Sequence, residues 1–101
     1  MKLYRQGDVL LRSISRLPEG QRKVRANGEV MEGEMTGHVH RLAELDQAEV
    51  LEIGAGLFVS VGDKGVSLVH EEHAPIVLPP GGYEVLRQSE YAPEAIRNVQ
   101  D

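Results

Sequence analysis

The chain has no cysteine and no tryptophan, and only one phenylalanine and three tyrosines among 101 residues. Without cysteine there is no disulfide scaffold, iron–sulfur site, thiolate zinc site or cysteine nucleophile. Any metal centre must be built from histidine and carboxylate. With so few aromatics, the core must come from Val, Leu, Ile and Ala. Long apolar runs are missing too, and nothing approaches the ~18–20 residues of a membrane-spanning helix. The segment Met1 to Asp8 lacks the apolar stretch of a signal peptide, so a cytoplasmic location is expected. There is no G-x-S-x-G, phosphate loop or dinucleotide fingerprint. Ser13, Ser15, Ser60, Ser67 and Ser89 stand in no recognisable nucleophile context. No repeat, heptad, linker or low-complexity tract divides the chain. A length near that of one typical domain, roughly 100–150 residues, makes residues 1–101 a single domain.

The net charge is −5, but it is unevenly placed. Residues 1–25 hold seven Lys or Arg against two acids, while residues 26–101 hold four against fourteen. A basic N-terminal segment can lie on its own acidic body, meet the acidic face of another copy, or bind nucleic acid. The last is disfavoured, because the body repels phosphate and no aromatics interleave the basic residues.

Short apolar runs between turn residues dominate the pattern. Asp8 to Ile14, with Val9, Leu10, Leu11 and Ile14 apolar, reads as a strand introduced by the turn pair Gly7-Asp8. Leu17-Pro18-Glu19-Gly20 reads as a turn, and Asn27-Gly28 as the strongest hairpin dipeptide. Further strands are expected within 29–36, 38–42, 49–53, 57–61, 66–69, 74–78 and 83–87. Gly54-Ala55-Gly56, the hairpin loop Gly62-Asp63-Lys64-Gly65 and the break Pro79-Pro80-Gly81-Gly82 punctuate them. Only Tyr91 to Val99 suggests a helical turn, with Pro93 near its start. Eight or nine short strands at this spacing imply an all-β fold, a small antiparallel barrel or sandwich.

All four histidines fall into two pairs, His38-Val39-His40 and His70-Glu71-Glu72-His73. Positions i and i+2 of a strand share a face, so His38 and His40 can converge on one point. His70 and His73 can converge only in a turn, bulge or helical turn. The end of a strand before Pro75 is a suitable place for one. Neutral imidazole binds zinc, iron, nickel and copper, and carboxylates extend the range to manganese. Glu44, Glu71 and Glu72 are candidate carboxylate partners. The plainer alternative is that the histidines cap turns, pair with neighbouring glutamates or sit in a subunit interface. Arg41 reads as a partner for one of the many carboxylates, and Asp8, Asp46 and Asp63 as turn residues.

These motifs resemble the cupin superfamily of small β-barrels. His38-Val39-His40, three residues and then Glu44 match its first motif. Pro79-Pro80-Gly81 matches the start of the second. Where that motif has a metal-binding histidine, this chain has Glu84. The resemblance therefore implies either a metal site completed by Glu84, His70 or His73, or a barrel without metal. The segments RQGDVLL, TGHVHRL, HEEHAPIVLPPGGYEV and EYAPE also look like a family of small uncharacterised bacterial proteins, which carries no activity with it.

The leading expectation is a cupin-like binding module holding a divalent metal (Zn, Fe, Ni or Mn) or a small ligand through His38, His40, His70 and His73, with Glu44 or Glu84. One alternative is a metal-free structural protein that assembles into a homo-oligomer or polymer. The other is a small metal-dependent enzyme of dioxygenase or isomerase type. An isolated barrel of this size is marginal in stability, which favours a homo-oligomer.

Overall fold

The structure, a computed structural model, describes residues 2–32 and 38–87. The expected helical turn at 91–99, and Gly33, Thr36 and Gly37 ahead of the first histidine pair, lie outside the described residues. The chain is all-β, and no helix occurs among the described residues. The strands are β1 (Leu3–Gln6), β2 (Val9–Ile14), β3 (Arg22–Val24), β4 (Glu29–Glu32), β5 (Val39–Leu42), β6 (Ala48–Ile53), β7 (Gly56–Val61), β8 (Val66–Val69), β9 (Ile76–Leu78) and β10 (Gly81–Arg87).

They form two antiparallel sheets. Six strands run in the order β1-β2-β10-β7-β6-β3, and four in the order β4-β5-β8-β9. The sheets do not close into a barrel among the described residues, so the two-sheet form of the expectation is the one observed. Period-two alternation supplies the core between them. Val9, Leu11, Val50, Val59, Tyr83 and Val85 come from the larger sheet, and Val30, Leu42, Val66, Leu68 and Leu78 from the smaller. A second, smaller cluster of Leu51, Ile53 and Phe58, joined by Ile14 and Leu17, is built on the larger sheet alone.

Two of the expected hairpins are instead crossovers between sheets. Asn27-Gly28 joins β3, which pairs with β6, to β4, which pairs with β5. Residues 62–65 likewise lead from β7 in the large sheet to β8 in the small one. The tight hairpins lie elsewhere. Gly54-Ala55 connects β6 to β7, and Gly7-Asp8 connects β1 to β2, with Gln6 opposite Val9. Strand β1 falls outside the expected strands, and β3 enters them only as the arm before the Asn27-Gly28 hairpin. Every residue of β3 is exposed, and the one buried residue of β1 is Gln6, so neither shows an apolar alternation.

Candidate functional site

The two histidine pairs meet, and strand register is the cause. β5 pairs with β8 through Arg41 opposite Val69 and Leu42 opposite Leu68. Continuing that antiparallel register sets His40 opposite His70 just past the end of the ladder. Their rings lie 4.2 Å apart, centre to centre. Side chains extend the seam beyond the strands. Val39 N–H donates to Glu71 Oε1 at 2.9 Å, and His38 Nδ1 stands 3.4 Å from Glu72 Oε1. The Val39 bond is the main reason that the Glu71 carboxyl lies below the usual carboxylate range, with smaller help from His38 and Arg41.

Residues 71–73 bend, as an H-x-x-H pair needs in order to converge. The Glu72 N–H donates to His70 Nδ1 at 3.0 Å and folds the segment back on itself. The His73 ring then comes to 4.8 Å from His70 and 6.1 Å from His40, while His38 lies 5.6 Å from His70. One side of the cluster is closed by the β1–β2 turn. Gly7 has φ 61°, and a Cβ there would stand 2.6 Å from His73 Nε2. The turn therefore favours glycine for its conformation, and a side chain there would push the exposed His73 ring aside.

Gln6 organises the interior of the cluster. It is 2 % exposed. Its amide nitrogen donates to Leu68 O at 2.9 Å and Ala74 O at 3.0 Å, so one side chain ties together both ends of the segment that carries His70 and His73. Both carbonyls require a donor, which leaves Gln6 Oε1 as the acceptor facing His40 Nδ1 at 2.9 Å. His40 therefore carries its proton on Nδ1 and presents the Nε2 lone pair. That nitrogen lies 3.5 Å from Asp8 Oδ1. Asp8 Oδ2 in turn receives Arg87 Nη1 at 2.6 Å. His40 is 1 % exposed. Burial, with His70 and His73 alongside, pushes its pKa down to about 4 against the opposing pull of Asp8. Among the described residues the buried Nδ1 of His38 makes no hydrogen bond, with Glu72 Oε1 beside it at 3.4 Å.

The four histidines singled out by the sequence thus come together, whereas the two glutamates of the cupin-like motifs are engaged elsewhere. Glu44 Oε1 accepts from Ser67 N at 2.9 Å and closes the turn after β5. Glu84 pairs with Arg12, its cross-strand neighbour, on the side of β10 opposite the inward-facing Tyr83 and Val85. Strand alternation puts it on the wrong side of the larger sheet for the cluster. In this structure Glu44 and Glu84 therefore stand apart from the histidine cluster. Gln6 and Asp8 belong to it instead. A glutamine has no motif, and an aspartate after glycine reads as an ordinary turn residue. The turn at Gly7-Asp8 is legible in the sequence, but only long-range packing sets it against the histidines. As the side chains stand, no group of three or more His, Asp or Glu among the described residues is arranged to hold a metal ion.

Fold and site together define a two-sheet all-β domain with a histidine cluster at the end of one sheet, closed by a hairpin turn of the other. The chain belongs to the family described as Domain of unknown function (DUF8820), whose profile matches residues 5–88. No curated protein and no solved structure matches it. No helix among the described residues is long and apolar enough to cross a membrane.

Proposed function

We propose that this domain is a binding module for a divalent transition-metal ion, held by histidines of the 38/40 and 70/73 pairs. The carrying observation is the convergence of four imidazoles from segments thirty residues apart. Nitrogen and oxygen donors of this kind suit Zn, Fe, Ni or Mn. The tautomer of His40 leaves its Nε2 lone pair for a cation, and His38 Nδ1, 3.4 Å from Glu72 Oε1, makes no hydrogen bond among the described residues. Gln6 stands to His40 as an outer partner that orients a ligating ring. Binding requires the rings to turn a little, and His70 joins the ligand set only by releasing the Glu72 N–H from its Nδ1. The cupin likeness is part of this proposal, supported by His-x-His at an inward-facing strand of one of two antiparallel sheets.

The test is elemental analysis of untagged protein, followed by thermal melts with zinc, nickel, manganese and EDTA. About one metal per chain is expected, or a melting temperature raised by metal and restored by EDTA. A metal-free protein whose melt ignores all four additions would defeat the proposal.

A second reading, association between copies, is favoured by the edge strand β3. Arg22, Lys23 and Val24 are all exposed there, and among the described residues the strand has one open side. Light scattering across concentration and salt tests it, and a salt-insensitive monomer would rule it out.

A further inference from the structure

We infer that Asp8 is the carboxylate ligand of this metal site, in the place the cupin-like motifs give to a glutamate, and that His40 and Asp8 form its anchoring pair. The inference rests on the metal-binding reading above and adds a ligand that no motif in the sequence supplies.

Three observations carry it. The first is a separation. Two ligands held at about 2.0–2.1 Å by a tetrahedral ion stand about 3.3–3.4 Å apart. His40 Nε2 and Asp8 Oδ1 are 3.5 Å apart, longer than a good hydrogen bond and close to that edge. The second is chemical sense. Gln6 leaves His40 with its proton on Nδ1, so a lone pair on Nε2 faces a carboxylate oxygen. Two acceptors turned toward each other repel unless a proton or a metal cation lies between them. The third is preorganisation. Arg87 holds Oδ2 and turns Oδ1 toward the imidazole, so the carboxylate is set for one-oxygen coordination before an ion arrives. The carboxylates of Glu44 and Glu84 are committed to Ser67 and Arg12. Glu71 is held by Val39 on the exposed side of the seam, and Glu72, whose Oε1 stands 3.4 Å from His38 Nδ1, is 55 % exposed, whereas the His40–Asp8 pair is 1 % and 16 % exposed.

The absence of any thiol in the chain makes a direct test available. The full chain is titrated with Co(II) alone, followed by visible absorption and calorimetry. Asp8→Asn is expected to weaken cobalt binding by about 100-fold or more, beyond or at the upper end of what an outer partner costs. Glu44→Gln and Glu84→Gln are expected to stay within about twofold of the parent. Asp8→Cys provides a readout that does not depend on affinity. With cobalt it should show a thiolate-to-metal charge-transfer band that the parent lacks, which requires a cobalt–sulfur bond at position 8. If Asp8→Asn folds and binds cobalt as the parent does, and Asp8→Cys shows no such band, the inference is overturned. When His40→Ala still loses binding in that case, the metal-site reading survives without Asp8. If the parent itself binds no cobalt, zinc or nickel, both fall together.

Discussion

At the scale of single residues, Gln6 decides more than any histidine. Its amide satisfies two carbonyls and one imidazole N–H in a buried setting, where an unmet polar group costs about 1–3 kcal/mol. Gln6→Met keeps the volume and removes all three bonds. It should lower unfolding stability by about 3 kcal/mol in urea melts. It should also release the tautomer of His40. In the parent, long-range proton–nitrogen NMR should report His40 as neutral with the proton on Nδ1 at pH 6, because its pKa of about 4 lies well below that pH. A ring protonated on Nε2 alone would contradict the role given to Gln6. Nothing about Gln6 was legible in the sequence, since a glutamine between arginine and glycine has no pattern to betray burial.

At the scale of elements, turns carry the design. Gly7→Ala places a side chain at φ 61° and 2.6 Å from His73 Nε2. The backbone cost alone is about 1–2 kcal/mol. The variant should therefore melt lower and show the resonances of His73, more than those of His38, displaced. Tyr83 secures a different corner. Its hydroxyl donates to Pro79 O at 2.5 Å across the passage from β9 to β10. Burial, with Tyr4 beside it, pushes its pKa up to about 12. An unfolded tyrosine titrates near 10, so the folded chain binds the extra proton between the two values. Stability from this group is complete below pH 10 and is lost as pH rises toward 12. Urea melts at pH 9 and 11 should show that decline, and Tyr83→Phe should flatten part of it.

At the scale of the whole molecule, the two sheets share one core, and Leu68 sits within it, fully buried. Leu68→Ala should cost about 2–5 kcal/mol, a large share of the ~5–15 kcal/mol by which such domains are stable. One transition in far-ultraviolet circular dichroism and tyrosine fluorescence alike is the expected signature of that shared core. The charge imbalance also finds part of its answer at this scale. Arg12 and Arg25 of the basic segment pair with Glu84 and Glu52 of the acidic body, within the same chain. Arg25, first by its hydrogen bond, holds the Glu52 carboxyl below its usual range. Solvent-exposed pairs of this kind contribute little to stability, so they orient the segment more than they stabilise it.

Much of the fold could be read from residue order alone. Alternation in 49–53, 57–61 and 83–87 marks strands with one buried face, and the absence of cysteine confines any metal site to nitrogen and oxygen donors. The four histidines were legible as candidates because their spacing is local. What stayed hidden depends on contacts far apart in sequence. A turn dipeptide reverses the chain but does not say which sheet the next strand joins, so Asn27-Gly28 reads as a hairpin and serves as a crossover. An H-x-H-x-x-x-E spacing puts three side chains near one another along the chain. Whether the glutamate faces the histidines depends on the turn after β5, and there Ser67 takes it. The meeting of His40 with His70 follows from the register of β5 against β8, and the entry of Gln6 and Asp8 from the packing of one sheet's hairpin on the end of the other. Local spacing thus supplied the donor types, while long-range register and packing decided which of them share a site.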